Sequence, residues 1–268
     1  MFVYIPRERD LCQTRTGSVG LSLRAVHTPQ HMISKILLLE TATDVCSVAI
    51  AAGGEIVAWR EEANCPSHIA VITLMIEACC LEAGIALNQL DAVAVSKGPG
   101  SYTSLRTGAS VAKGLCYALD IPLVAVDTLE ALAWGSRPID ALSDILLLPM
   151  LDARRDEIWV AAYDGEIQCL VPAAPLILTA DALENYIDNL SKGRTWGRII
   201  MSGNGLSKLI FEYITNNTDI CNIKQSSASF LLEIAQKRLN NKQIEDVSLF
   251  EPFYMKPPNI TISVKPSF

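Results

Sequence analysis

Residues 91–118 read DAVAVSKGPGSYTSLRTGASVAKGLCYA, and this stretch decides the fold. Asp91–Ser96 sets Val and Ala in the pattern of a short buried strand. Lys97–Tyr102 is a polar turn built on Gly98, Pro99 and Gly100. Thr103–Ala118 then places Leu105, Ala109, Ala112, Leu115 and Cys116 at helical spacing. A strand, a glycine turn and a helix N-terminus leave backbone N–H groups pointing outward, which suits an anion. Gly98 and Gly100 equally suit a tight turn with no ligand, and the residues alone leave both readings open.

Working outward, Ile36–Leu39 is a solidly apolar strand ending in the polar turn Glu40-Thr41-Ala42-Thr43-Asp44. Val45–Ile50 gives a second strand, Ala52-Gly53-Gly54 a hairpin signal and Glu55–Arg60 a third strand. Three strands on short turns followed by helices open an α/β domain of the RNase-H-like or actin-like kind, not a dinucleotide-binding βαβ unit. Neither GxGxxG nor GxxxxGK[ST] follows the first strand. That turn offers hydroxyls, and by analogy with actin-like ATPases, whose hydroxyls at such turns face nucleotide phosphate, Thr41 and Thr43 join Gly98 and Gly100 as weak nucleotide candidates, although taken alone Thr41 and Thr43 are more often ordinary turn formers.

Ser67 suits the N-cap of a helix over His68–Ala83. His68 reads as a surface or capping residue, because zinc needs three or four protein ligands together. Thr128 is expected to cap a short helix to Trp134, and Arg137-Pro138 marks a boundary. Ile145–Leu151, Glu157–Tyr163 and Glu166–Leu170 then repeat the strand logic of the opening, with Pro172 and Pro175 as interruptions. A helix from Thr179 to Leu190, a strand at Ile199–Met201, a helix over Leu206–Ile214, a loop at Asn216–Thr218 and a last helix over Ala228–Leu239 complete the pattern. The expected organisation is a leader (1–34), an N-terminal lobe (35–140), a C-terminal lobe of similar topology (141–250) whose last helix packs on the first lobe, and an extended tail (251–268). The leader, with no visible period and with Met32 close to the first strand, is expected to be disordered or a start-site artefact.

The chain has 268 residues, half of them hydrophobic, so it can bury a large core. A formal charge of −7 argues against a stand-alone nucleic-acid binder. Its eight cysteines form no CxxC pair, and four sit in apolar runs as small hydrophobes. This usage and the absence of a spanning apolar stretch point to the cytoplasm, with no membrane partner.

ILLLETATDVCSVAI (36–50), SKGPGSYTSLRTGASVAKG (96–114) and VAVDTLEAL (124–132) resemble the TsaB family, formerly YeaZ. LDARRDE (151–157), SGNG (202–205) and EPFYMK (251–256) extend the resemblance over essentially all of the chain after the leader. It implies the two-lobed actin-like fold and a non-catalytic subunit for N6-threonylcarbamoyladenosine in tRNAs reading codons that start with A. Such a subunit scaffolds and activates the TsaD transferase, meets the ATPase TsaE, forms homodimers and reaches tRNA only through the complex. No catalytic residue, metal or cofactor is expected beyond weak ATP or ADP binding. The paralogue's HxxxH pair is broken here, since Ile72 stands four residues after His68. Glu40 replaces the family's usual Asp, and Ser104 a usual Gly. The helices 68–83 and 103–118 resemble the family's subunit interface, which places Leu74, Leu105, Arg106, Ala109 and Ala112 at the contact.

The competing reading is an ATP-dependent small-molecule kinase or phosphatase of the same fold. It needs a carboxylate to accept a substrate proton, with phosphate and metal binders around it. Asp127 and Asp152 stand at strand ends, but each also serves as a turn or cap residue. A peptidase lacks both metal ligands and a nucleophile–base pattern.

Overall fold

The computed structural model describes residues 35–139, 144–209 and 217–254. The leader, the end of the 206–214 helix and the tail beyond Tyr254 lie outside the described residues.

The apolar runs near the start become β1 (Lys35–Glu40) and β2 (Cys46–Ala52), followed by β3 (Glu55–Glu62). These pair antiparallel as a meander. After α1 (His68–Ala83), β4 (Ala92–Gly98) returns parallel to β1. After α2 (Tyr102–Leu119), β5 (Leu123–Asp127) lies parallel to β4. The sheet order is β3-β2-β1-β4-β5. Helices cover both its faces, which is why β1, β2 and β4 read as continuous apolar runs rather than alternating ones.

The second half repeats this plan. β6 (Ile145–Asp152), β7 (Glu157–Asp164) and β8 (Cys169–Ile177) form an antiparallel meander. β9 (Arg198–Ser202) lies parallel to β6, and β10 (Thr218–Ile220) parallel to β9. Its order, β10-β9-β6-β7-β8, is the first sheet's order with each strand replaced by its counterpart. Two copies of one strand–helix plan make the two-lobed actin-like fold.

The copies are locked by exchanged helices. α3 (Thr128–Ser136), which follows the first sheet, packs Leu129, Leu132 and Ala133 against the second. α5 (Leu231–Asn240), which follows the second sheet, packs Leu231, Ile234 and Ala235 against the first. The stretch leading to α5 is also pinned, since Ser47 Oγ accepts the N–H of Ala228 at 3.0 Å.

Several local expectations need correction. β8 runs through Pro172 and Pro175, which an edge strand tolerates because its outer N–H groups bond to nothing in the sheet. Asp127, not Thr128, caps α3, its carboxylate accepting the N–H groups of Leu129 and Glu130. α4 (Ala182–Leu190) has Asp181, not Thr179, at its N-cap position. Residues Asn204–Lys208 form a 3-10 turn in place of the start of an α-helix, and the loop expected at 216–218 runs into β10.

Candidate functional site

Two features stand out: a cleft between the lobes and the outer face of α1 and α2. The cleft, about 630 Å3, is where the turn after β1, the glycine loop after β4, the turn after β6 and the start of α2 meet. Ala42, Gly100, Tyr102, Arg154, Asn204 and Tyr254 are among its lining residues.

The phosphate-cradle expectation meets a closed backbone. The N–H of Ser101 donates to the Ala42 carbonyl at 2.6 Å, so the two loops touch directly. A Cβ on Gly100 would collide with that carbonyl, so glycine is required there by the neighbouring loop. A Cβ on Gly98 would stand 2.8 Å from the Phe253 carbonyl, and Phe253 donates its N–H to the Lys97 carbonyl at 2.7 Å. The C-terminal segment thus lies on Gly98.

The first turn is equally occupied. The N–H of Thr41 donates to Ser96 Oγ, that of Ala42 to Glu40 Oε1 and that of Val45 to Thr43 Oγ1. Thr43 Oγ1 donates to Gln225 Oε1 at 2.8 Å. Thr41 is fully buried, its hydroxyl turned toward Gly108 of α2. The N–H groups of Thr41, Ala42 and Val45 therefore serve the protein itself.

Glu40 is wholly buried beneath the turn. Burial pushes its carboxyl pKa up, and the N–H of Ala42 with the Ser226 and Ser96 hydroxyls pulls it only partly back. Asp127, half-buried, is pushed up to about 6 by desolvation, against the nearby charge of Lys97. Asp152 accepts the N–H of Arg154 at 2.6 Å and pairs with Lys208 at 2.5 Å. Both aspartates are thus engaged as cap and turn residues. His68 is buried, not on the surface, with Nε2 3.2 Å from the Val45 carbonyl. Among the described residues no group of three or more His, Cys, Asp or Glu could hold a metal ion, and no helix is long and apolar enough to cross a membrane.

On α2 the structure corrects three of the five expected contact residues. Leu105, Ala109 and Ala112 are buried, with Ala109 and Ala112 in the core under the first sheet. The face they occupy is the inner one. The outer stripe is Thr103, Arg106, Ser110, Gly114 and Tyr117. Small residues do face outward on this helix, but they are Ser110 and Gly114, one helical register away. Arg106 lies over the Tyr102 ring at 5.1 Å. On α1, Leu74 and Leu81 are seven residues apart on one exposed face. Leu81 and Tyr117 are among the most exposed apolar side chains, at 85% and 86%. Their exposure follows from the same periodicity that buries Ile72, Ile76 and Cys79.

The doubled meander, the exchanged helices and the closed glycine loop define a two-lobed protein of the actin-like class. Comparison with known proteins gives its place in that class. The family model for TsaD, tRNA N6-adenosine threonylcarbamoyltransferase, matches residues 62–262. TsaB of Haemophilus influenzae, named a tRNA threonylcarbamoyladenosine biosynthesis protein, is 27% identical over 82% of this chain and 93% of its own. TsaB of Escherichia coli is 34% identical over 49% of this chain and 56% of its own. The solved structure of YeaZ from Pseudomonas aeruginosa superposes with a TM-score of 0.67 at 25% identity, covering 82% of this chain and 99% of that one. The chain belongs to the family this model describes, and its relatives place it with TsaB (YeaZ).

Proposed function

We propose that this chain is a non-catalytic subunit in the synthesis of threonylcarbamoyladenosine in tRNA. It scaffolds and activates a TsaD-like transferase, meets a TsaE-like ATPase and also pairs with a second copy of itself. The names of its relatives support a role in this modification pathway.

The observation that carries the subunit role is the outer face of α1 and α2. Leu74 and Leu81 stand exposed on α1, while Ser110 and Gly114 leave the surface of α2 low enough for another helix to approach. An exposed apolar helix pair with small residues between suits helix-on-helix docking, and large apolar patches mark interaction sites. The occupied donors of the first turn support a non-catalytic role, because a phosphate between the two loops would have to displace the Ser101–Ala42 bond.

Gel filtration with the TsaD-like protein of the same source is the direct test. Co-elution is expected, and threonylcarbamoylation by the pair should exceed that of the transferase alone. The absence of any complex, with TsaE-like protein and nucleotide supplied, would overturn the reading.

A further inference from the structure

Eight arginines lie among the described residues. Arg60, Arg198 and Arg238 pair with Glu82, Asp219 and Glu130. Arg106, Arg137 and Arg194 lie over the rings of Tyr102, Trp134 and Trp196. Among the described residues only the guanidinium groups of Arg154 and Arg155 have neither kind of partner.

These two are adjacent, exposed, and both at positive φ, 67° and 49°. Left-handed backbone costs a residue with a side chain on the order of 1 kcal/mol or more, and Gly or Asn sits there more cheaply. The turn is nonetheless held firmly. Lys208 Nζ donates to the carbonyls of Arg155 and Glu157 at 2.6 and 2.9 Å and pairs with Asp152. One lysine therefore fixes the turn and pairs with Asp152, while the guanidinium groups of Arg154 and Arg155 carry no ion pair.

Arg154 lines the interlobe cleft. Aromatic rings line the same cavity: Tyr102 and Tyr254, with centroids 4.5 Å apart, and Phe253, half exposed. Neither α1 nor α2 has an acidic residue in its first turn, and of the two aspartates lining the cleft Asp152 is paired with Lys208, while Asp44 stands exposed.

We propose that the mouth of the cleft takes a single-stranded segment of RNA. Arg154 and Arg155 would hold its phosphates, and Phe253, beside the Tyr102–Tyr254 pair, would stack a base. Free guanidinium forks suit phosphate, and the half-exposed Phe253 ring offers a face that accepts any base. An acidic peptide would use the arginines but not the rings, so the rings favour RNA. The proposal rests on the tRNA-modification reading above and gives it an RNA-contacting surface on this subunit.

The test is fluorescence anisotropy with a labelled anticodon stem-loop RNA, titrated with salt. It is run on the chain alone and on its complex with the TsaD-like partner. Arg154→Asn/Arg155→Gly keeps residues suited to positive φ, so its melting temperature should not fall. Its RNA affinity should drop about tenfold or more, and the slope of log K against log salt should become shallower by about 1.4, the value for two single-strand phosphate contacts. Phe253→Ala should weaken binding with the salt slope unchanged. No RNA binding by chain or complex, or unchanged affinity and slope in both variants, would overturn the site. So would a double variant that loses its protein partner while still binding RNA, which would assign the arginines to an acidic protein surface. A wild-type chain that fails to pair overturns the functional reading instead, while the variants still decide the RNA site on the chain alone.

Discussion

The backbone N–H of Ser101 and the carbonyl of Ala42 meet at 2.6 Å, joining the glycine loop after β4 to the turn after β1. In a nucleotide-binding member of such a fold, phosphate would be expected between these loops. Here the N–H of Ser101, at the N-cap position of α2, is spent on the protein. The neighbouring N–H groups of Thr41, Ala42 and Val45 are spent on Ser96, Glu40 and Thr43.

Gly100→Ala should therefore destabilise the fold rather than merely weaken a ligand. Its Cβ would meet the Ala42 carbonyl, carbon and Cβ together, and rigid backbone cannot move aside as a flexible side chain would. A loss of about 1–3 kcal/mol in urea unfolding is expected, in the range of overpacking defects. Stability unchanged from wild type would show that the two loops separate freely.

Glu40 gives a second prediction. A carboxyl with a raised native pKa contributes stability below its unfolded value, near 4.5, and that contribution is lost as pH rises through the native value. Glu40→Gln removes the charge but keeps an oxygen for the N–H of Ala42. The variant should gain on wild type as pH rises from 5 to 8. Glu40→Ala leaves that N–H unpartnered in the core and should cost about 1–3 kcal/mol at any pH in this range. Chemical denaturation across pH separates the two, and a Gln variant that loses ground with rising pH would contradict the assignment.

Asp127 follows the same sign. Its carboxyl, ordinarily near 3.8, is pushed up to about 6. Its contribution to stability is present below about 3.8 and disappears as pH rises through about 6. Above that the buried charge is a cost, of about 1–2 kcal/mol after allowing for its partial exposure. Asn is as good an N-cap as Asp. Asp127→Asn should match wild type at pH 4 and exceed it at pH 7.5. An advantage of equal size at both pH values would point to packing instead of titration.

The fold was legible because its strands are strongly apolar and its turns carry glycine or polar runs. The helix over His68–Ala83 falls on the residues that periodicity predicts. The repeated meander shows in the sequence, but the exchange of α3 and α5 between sheets does not, since it depends on packing across the two copies. Prolines misled at β8, because pattern alone cannot tell an edge strand from a break. The site was less legible. Gly98 and Gly100 demand close approach, yet the approaching atoms are the carbonyls of Phe253 and Ala42, far away in sequence or in another loop. The pairing of Lys208 with Asp152 across the 3-10 turn is likewise a tertiary fact. Arg154 and Arg155 could have been noticed as an unusual choice for a hairpin turn, where Gly or Asn is the ordinary residue.

The helix face yields a final prediction, and the structure redirects it. With Ala109 and Ala112 taken as contact residues, Ala109→Arg should abolish pairing and spare the fold. Ala109 is in fact 4% exposed and packed in the main core, so an arginine there must bury a charge or force the helix away. Ala109→Arg should unfold the chain or lower its stability by several kcal/mol, on the order expected for an unpaired buried charge. Leu81→Glu sits on the opposite surface, at 85% exposure, and should leave the melting temperature within a degree or two. If α1 and α2 dock a partner, this variant should elute alone where wild type elutes as a dimer or with the TsaD-like protein. Gly114→Arg, placed where nothing within 4 Å opposes a side chain, should have the same effect by filling the low point of the helix pair. Both exposed variants pairing as wild type does would remove this face as the interface, whatever Ala109→Arg does to folding.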